Sequence, residues 1–105
     1  MNDSIQHIVD KIVQQIHPEA IYLFGSRAKN DVNENADIDL LVIEKETFST
    51  TKSRMKELSR IRKAIMPYST PVDILLFSSD EVNEWKDSIN HIIARCLREG
   101  KKIYG

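Results

Sequence analysis

The chain has 105 residues, a mass of 12.1 kDa and a formal net charge of −1, and 41% of its residues are hydrophobic. This length predicts a single domain over residues 1–105, and Cys96, as the single cysteine, excludes a disulfide. No apolar stretch is long enough for a membrane span and no leader-like run opens the chain, so we expect a cytoplasmic protein without a membrane anchor. The nearly neutral charge argues against a surface built wholly for nucleic acid.

The first half of the chain predicts a helix followed by a buried strand. Apolar residues recur at three- and four-residue steps over residues 5–16, which is typical of an amphipathic helix. Asp3 or Ser4 can cap its start, and Pro18 ends it. The short apolar run Ala20–Phe24 predicts a strand, and Gly25 ends it. Residues 27–36 are polar and rich in asparagine, which indicates mostly loop.

The second half predicts two more strands and two more helices. Strands are expected over 37–43 and 71–77, with a helix from 49 or 50 to 66 between them. Ser78 and Glu81 form a capping-box pattern before a last helix that Gly100 closes. Residues 101–105 are expected to be a short tail. The alternation predicts an α/β (α+β) fold, a small mixed β-sheet of about three strands covered by helices.

A turn suited to phosphate follows the first strand. Gly25 and Ser26 stand where a strand ends and a helical turn can begin. Glycine has no Cβ to block a ligand, and backbone N–H groups at such a turn favour anions. We therefore predict that Gly25 and Ser26 bind phosphate.

Three aspartates are predicted to lie near that turn. Asp37 and Asp39 are two residues apart on a strand, so their side chains share one face with their α-carbons about 7 Å apart. Asp73 interrupts an apolar strand, where a charge is costly unless it is paired, lies at an edge or binds metal. It joins the pair if the two strands are neighbours. Mg²⁺ prefers carboxylates together with substrate phosphates, and two ions can stabilise both oxygens of an in-line displacement.

This pattern resembles the nucleotidyltransferase superfamily of DNA polymerase beta, in particular its minimal nucleotidyltransferase (MNT) domains. The resemblance covers nearly the whole chain, because the order of helices and strands agrees. Asn30 stands where the family usually has glycine, and Ala36 where it commonly has serine. The matching segments are Gly25-Ser26-Arg27-Ala28, Ala36-Asp37-Ile38-Asp39-Leu40-Leu41-Val42 and Val72-Asp73-Ile74-Leu75.

The resemblance implies roles for the matched residues. Gly25 and Ser26 would hold the β and γ phosphates of a nucleoside triphosphate, and Arg27 would reach phosphate. The paired aspartates would bind two Mg²⁺ ions, and the third would bind metal or help to take the proton from the acceptor hydroxyl. The expected catalytic and metal-binding residues are Asp37, Asp39 and Asp73.

The resemblance also implies an activity and a partner. The enzyme would transfer AMP from ATP, or another nucleoside monophosphate, to an acceptor hydroxyl and release pyrophosphate. Antibiotic-modifying relatives carry an additional domain for the acceptor and none is expected here, so the acceptor should arrive with another protein. The implied partner is a small helical HEPN-domain toxin, with this chain as the MNT-type antitoxin that adenylylates a side chain such as tyrosine.

Two alternatives to a protein-modifying enzyme remain open. In the first alternative, the chain is a non-catalytic antitoxin or adaptor that neutralises its partner by binding. In the second, it is the nucleotidyltransferase subunit of an enzyme that modifies a small molecule such as an antibiotic. A co-encoded all-helical protein with an Arg-x-x-x-x-His motif would favour the antitoxin hypotheses.

The remaining features have plain structural interpretations. Residues 52–63 hold six basic residues and one acid, whereas residues 31–46 hold six acids and one base. We interpret the basic segment as a solvated helix face and expect no direct nucleic-acid binding, with an acidic partner or a nucleic acid as the alternative. Trp85 and Cys96 lie on the apolar stripe of the last predicted helix and are interpreted as core.

Overall fold

The computed structural model describes residues 3–25, 37–66 and 71–105. The strands in these ranges form one mixed sheet in the order β3-β2-β1-β4, in which β1 is antiparallel to β2 and β4, and β2 is parallel to β3. The predicted α/β fold is therefore confirmed. In chain order the elements are α1 (Asp3–Ile16), β1 (Ala20–Phe24), β2 (Ile38–Glu44), α2 (Arg54–Ile65), β3 (Val72–Ser78), α3 (Ser79–Trp85), α4 (Ile92–Glu99) and β4 (Lys101–Tyr104).

The first helix packs on the sheet and ends where the sequence predicts. Ile8 and Ile12 on its apolar side are fully buried. His17 has a φ of 46° and donates its backbone N–H to the Val13 carbonyl at 3.0 Å. This left-handed residue, followed by Pro18, ends α1 and directs the chain into β1. None of the described helices has the length and apolarity that crossing a membrane requires.

Helices cover both faces of the sheet, and alternation along the strands assigns each side chain to a face. α1 and α2 cover one face over the larger core, whereas α3 and α4 cover the other. Leu41 and Ile43 of β2 pack in the smaller cluster with Cys96 of α4. Asp39 has the same strand parity as these two residues, so it lies on the α3 and α4 face, beyond the apolar part of that cluster.

Three element predictions are corrected by the structure. The second helix begins at Arg54, because the Ser53 side chain accepts the backbone N–H of Lys56 at 3.1 Å and caps it there. The long last helix is two helices, since Ser78 and Glu81 cap α3 while His91 caps a separate α4. Residues 101–104 are a fourth strand paired with β1, not a tail.

The break between α3 and α4 also corrects the prediction that Trp85 is core. Trp85 is 40% exposed, Ile89 84% and Ile92 38%, whereas Cys96 is buried as predicted. The ring of His91 stacks on Trp85 with centroids 4.5 Å apart. The apolar stripe predicted for one long helix is divided between α3 and α4. The part of the stripe before α4 is therefore left partly exposed to solvent.

The predicted solvated face of the basic segment is wrong for Arg54, which joins α2 to β3 and α3. Its guanidinium donates to the Leu76 carbonyl and to Glu81 Oε2, each at 2.6 Å. It also lies 4.7 Å from the ring centroid of Phe48 and 5.3 Å from that of Phe77. Burial alone would raise the pKa of Glu81, but the bonds from Arg54 and the Ser78 backbone outweigh it and hold that pKa below its usual value.

A buried carboxyl group closes the far end of β2. Glu44 is 2% exposed, and among the described residues its Oε2 has no hydrogen-bond partner. Lys52 Nζ lies 3.5 Å from Glu44 Oε1, and Glu57 on α2 is within hydrogen-bonding reach. Burial first, and then the charge of Glu57, raise the pKa of Glu44 against the opposing effect of Lys52.

Candidate active site

The parallel pairing of β2 and β3 brings two of the predicted aspartates side by side. In the register of these strands, Asp39 is the partner of Asp73. Neighbouring strands lie about 4.8 Å apart, and the Asp39 carboxyl is within hydrogen-bonding reach of the Asp73 carboxyl. β2 and β3 are therefore neighbours, which is the condition that the prediction for Asp73 required, and Asp73 lies beside Asp39.

Asp37 completes the acidic group from the residue before β2. Asp37 and Asp73 are exposed, and Asp39 is half-buried between them. Burial first, then the charge and hydrogen bond of Asp73, and then the charge of Asp37, all raise the pKa of Asp39. Carboxylates crowded in this way favour a bound proton or a bound cation.

Gly25 lies directly against this acidic group. Pairing of β1 with β2 sets Phe24 opposite Asp39, so the next residue emerges at the Asp39 carboxyl. Gly25 has a φ of +76°, and a Cβ at this position would overlap Asp39 Oδ2. Both the left-handed backbone and the close approach therefore require glycine.

Of the six predicted site residues, the structure brings Gly25, Asp39 and Asp73 together, and Asp37 lies two residues before Asp39. The other two, Ser26 and Arg27, lie outside the described residues. The described part of the turn ends at the residue where the phosphate site is predicted to begin.

The predicted metal ion needs ligand atoms that converge on one point. Across residues 3–25, 37–66 and 71–105, no group of three or more His, Cys, Asp or Glu side chains is placed to hold a metal ion. The two adjacent carboxylates, Asp39 and Asp73, remain. Mg²⁺ is usually held by one or two carboxylates plus waters and substrate phosphates, so this pair fits an ion whose other ligands come from a nucleotide.

A cavity of about 220 Å³ opens beside Gly25, between the end of β1 and α4. At its rim Arg95 Nε donates to Glu99 Oε2 at 3.1 Å. Burial, with a contribution from the charge of Asp39, raises the pKa of the Cys96 thiol to about 11. Gly25 lines the cavity and also lies against Asp39, so the cavity is next to the acidic group. Its lining residues are Phe24, Gly25, Ile92, Arg95, Cys96 and Glu99.

The sequence interpretation missed the α4 wall of this cavity because it assigned the whole apolar stripe to the core. Four lining residues follow a helical step of three, one and three residues: Ile92, Arg95, Cys96 and Glu99. That spacing puts all four on one helix face. A helix face that packs only in the core would carry apolar residues alone. The charged Arg95 and Glu99 on the same face as Ile92 and Cys96 were therefore the sequence signal for a partly open surface.

Solved structures of similar fold include nucleotidyltransferases and toxin–antitoxin complexes. A protein from Sulfolobus solfataricus provisionally classed as a nucleotidyltransferase has a TM-score of 0.57 and 23% identity over 97% of this chain and 76% of that chain. A toxin–antitoxin solved with AMP-PNP has a TM-score of 0.59 and 22% identity, covering 95% and 72% of the two chains. A double Asp-to-Glu mutant of the toxin–antitoxin MntA–HpeT has a TM-score of 0.57 and 20% identity, covering 100% and 74%.

These identities establish the likeness of fold alone, and no curated protein matches the chain significantly. The family model described as polymerase beta, nucleotidyltransferase, matches residues 6–105. That range includes Gly25 and all three aspartates of the acidic group. The chain therefore belongs to the polymerase beta nucleotidyltransferase family.

Proposed function

We propose that this chain, as a single domain over residues 1–105, is a Mg²⁺-dependent nucleotidyltransferase. It transfers a nucleoside monophosphate, preferentially AMP from ATP, to an acceptor hydroxyl and releases pyrophosphate. The observation that carries the proposal is the adjacency of Asp39 and Asp73 on parallel strands, with Gly25 packed against them. Two neighbouring carboxylates beside a glycine that leaves the backbone open suit a cation bound together with phosphate.

The residues of the site divide the work between binding and proton transfer. Gly25 lets the β and γ phosphates approach the backbone, and Ser26 and Arg27 bind the same phosphates. Asp39 and Asp73 are the neighbouring groups that would hold Mg²⁺ together with the phosphates, and Asp37 is proposed to supply a further carboxylate for a second ion. When bound, these ions neutralise charge on the transferring phosphoryl group.

The transfer forms one bond at the α-phosphorus, breaks another and moves one proton from the acceptor hydroxyl. The acceptor oxygen forms a bond to the α-phosphorus as the bond from that phosphorus to the pyrophosphate oxygen breaks. Asp73, which is exposed at the start of β3, receives the hydroxyl proton. Catalysis consists mainly of positioning and charge stabilisation, as is usual in phosphoryl transfer.

We propose a protein as acceptor, namely a co-encoded helical toxin of the HEPN class that this chain neutralises as its antitoxin. Support comes from two structures of similar fold that are toxin–antitoxin complexes, one of them solved with an ATP analogue. In the other, two aspartates two residues apart were changed to glutamate, the same spacing as Asp37 and Asp39 here.

Transfer of label from ATP tests the proposal. The chain is incubated with α-labelled ATP, Mg²⁺ and the co-encoded protein, and labelled protein is quantified. We expect transfer by the wild type and a loss of at least about 100-fold in the Asp37→Asn, Asp39→Asn double variant. An Asp10→Asn, Asp87→Asn double variant, which removes two exposed acids away from the site, controls for charge and should transfer normally.

Other outcomes select the alternatives. If the wild type neither transfers label nor binds nucleotide in a Mg²⁺-dependent way, the enzymatic proposal is wrong. If the Asp37→Asn, Asp39→Asn variant still neutralises the partner completely, the chain acts by binding alone. If label appears on a small molecule supplied in the assay and never on protein, the chain is the transferring subunit of a small-molecule enzyme.

A further inference from the structure

We propose that a second cavity, between α3 and the sheet, binds a small organic carboxylate with an apolar body. This α3 cavity has a volume of about 300 Å³, at the lower end of the range for small-molecule sites. Ala20 at the start of β1 lines it, and the five residues from Ala20 to Gly25 span roughly 16 Å of strand. The α3 cavity is therefore separate from the acidic group, and the inference does not depend on the proposed function.

The packing of α3 leaves this space open. α3 contacts β2 and β3, but none of its seven residues, all of which the structure describes, is buried. Ser79, Val82 and Asn83 line the cavity, and their steps of three and one residues put them on one face of the helix. That face therefore meets a cavity where a helix in the core would meet closely packed side chains. A ligand in the α3 cavity would complete the contact between α3 and the sheet.

Part of the wall of the α3 cavity is aliphatic. Ala20 and Ile43 of the sheet are buried, and Val82 and Leu97 of the two helices are partly buried against the same cluster. Four aliphatic side chains around one space favour a hydrocarbon group, because the transfer of apolar surface out of water is favourable. The wall therefore selects a ligand with an apolar body.

The charged side chains of the wall favour an anion. The carboxylate of Glu19 accepts a hydrogen bond from the hydroxyl of Ser79, which also lies 3.2 Å from the carbonyl oxygen of Glu44. The ammonium group of Lys102, by contrast, forms no ion pair within the described ranges 3–25, 37–66 and 71–105. The acid of the wall already has a donor, whereas the base lacks an acid, and the carboxylate of a ligand would supply it.

Two uncharged side chains add donors to the same wall. Lys102 is the partner of Tyr22 in the pairing of β1 and β4, and both residues line the cavity with Asn83. A phenol hydroxyl and an amide N–H donate readily to carboxylate oxygens, which accept several hydrogen bonds at once. The combination of an aliphatic wall with a few polar groups is typical of sites for small organic molecules.

The test compares three ligands of similar shape and different charge: phenylacetate, phenylacetamide and phenethylamine. Each is titrated into the isotope-labelled full chain, without nucleotide, and the backbone amide resonances are followed by NMR spectroscopy. We expect phenylacetate to cause saturable shifts at Ala20, Ile43 and Val82 with a Kd of about 1 mM or below. The amide and the amine should bind at least about fivefold more weakly, because neither supplies an acid to Lys102.

Two neighbouring lysines provide the matched variants. Lys101 and Lys102 are both exposed on β4, and of the two only Lys102 lines the cavity. Lys102→Gln should bind phenylacetate and phenylacetamide about equally, whereas Lys101→Gln should keep the preference of the wild type for phenylacetate. The same spectra show whether each variant is folded.

Four results would overturn the inference. The first is the absence of saturable shifts around the α3 cavity with phenylacetate at about 20 mM. The second is equal binding of the carboxylate and the amide by the wild type. The third is tighter binding of phenethylamine, which would make Glu19 the recognising group. The fourth is an equal loss in Lys101→Gln and Lys102→Gln, which would show that the ligand responds to the general charge of β4.

Discussion

Gly25 contributes to the site through the side chain that it lacks. Replacing it with alanine places a Cβ on Asp39 Oδ2 and forces alanine into a left-handed conformation. The conformational cost alone is about 1–2 kcal/mol. We expect Gly25→Ala to lower the free energy of unfolding by at least that amount, measured by urea titration, and to reduce label transfer strongly.

A double-mutant cycle separates the two causes of that destabilisation. Asp39→Ala removes the carboxylate that the new Cβ would meet, so Gly25→Ala should cost less stability in that background than in the wild type. Equal costs in the two backgrounds would mean that Gly25 and Asp39 are not in contact.

Glu44 is expected to make the free energy of unfolding decrease as the pH rises. The pKa of Glu44 is raised above the ordinary value of 4.5, so its carboxyl group binds a proton more tightly in the folded chain than in the unfolded chain. The associated stability is fully present below about pH 4.5 and is lost as the pH rises through the folded pKa. We expect the stability of Glu44→Gln relative to the wild type to increase between pH 4 and pH 7 in urea unfolding.

The matched control for Glu44 is Glu46. Both carboxylates lie 3.5 Å from Lys52 Nζ, but Glu46 is largely exposed. Glu46→Gln therefore controls for the loss of a negative charge beside Lys52 without the loss of a buried group. A difference between Glu44→Gln and the wild type that stays constant from pH 4 to pH 7 would contradict the raised pKa of Glu44.

At the residue scale, the aspartates could be predicted because they are charged residues within apolar strand segments, where burial of a charge is unfavourable. Asp73 stands among apolar residues, and Asp37 and Asp39 alternate with apolar neighbours at the start of a strand. The contact of Gly25 with Asp39 could not be predicted, because it depends on the antiparallel register of β1 and β2. Tertiary pairing, which periodicity does not encode, determined that part of the site.

Among the elements, α2 depends on Arg54 for its attachment to β3 and α3. The guanidinium makes two hydrogen bonds and lies over two aromatic rings, a combination that lysine cannot reproduce. We expect Arg54→Lys to lower the free energy of unfolding by about 1–2 kcal/mol. Lys56→Arg is the control, since Lys56 is exposed on the same helix and its replacement should change stability by less than about 0.5 kcal/mol.

Thermal or urea unfolding measures both variants. If Arg54→Lys is as stable as the wild type, the bonds of Arg54 to Leu76 and Glu81 contribute nothing to stability beyond what a lysine side chain supplies.

Long elements with strong periodicity were predicted closely, whereas the C-terminal part was not. α1, β1, β2 and β3 agree with their predicted positions to within one or two residues. β4 was missed because Lys101–Tyr104 has only two apolar residues, and its strand conformation comes from pairing with the edge of β1. The break before α4 was missed because the apolar stripe continues across it, while the His91 cap is a local hydrogen bond that spacing does not reveal.

On the scale of the whole molecule, the charge distribution predicts weak binding to nucleic acid. The net charge is −1, and three basic residues of the segment 52–63 form ion pairs within the protein: Lys52 with Glu44, Arg54 with Glu81 and Arg60 with Glu57. We expect RNA and DNA oligonucleotides to bind more weakly than about 100 μM at 150 mM salt in fluorescence anisotropy.

Low-micromolar binding that weakens with salt would contradict this expectation. The Lys56→Glu, Lys63→Glu variant would then locate the surface, because both side chains are exposed on α2. Loss of binding in that variant would restore a nucleic-acid role for the helix, and unchanged binding would direct attention to another face.

The parallel pairing of β2 with β3 has a consequence for the order of events in folding. Asp39 and Asp73 are remote in the chain, and α2 lies between their two strands. Pairings between distant segments form slowly relative to local helices and hairpins. The antiparallel pair of β1 and β2, which is closer in sequence, can therefore bring Gly25 and Asp39 together before β3 adds Asp73. A newly made chain would acquire its fold in stages, and its capacity to act on a nucleotide would be among the last properties to appear.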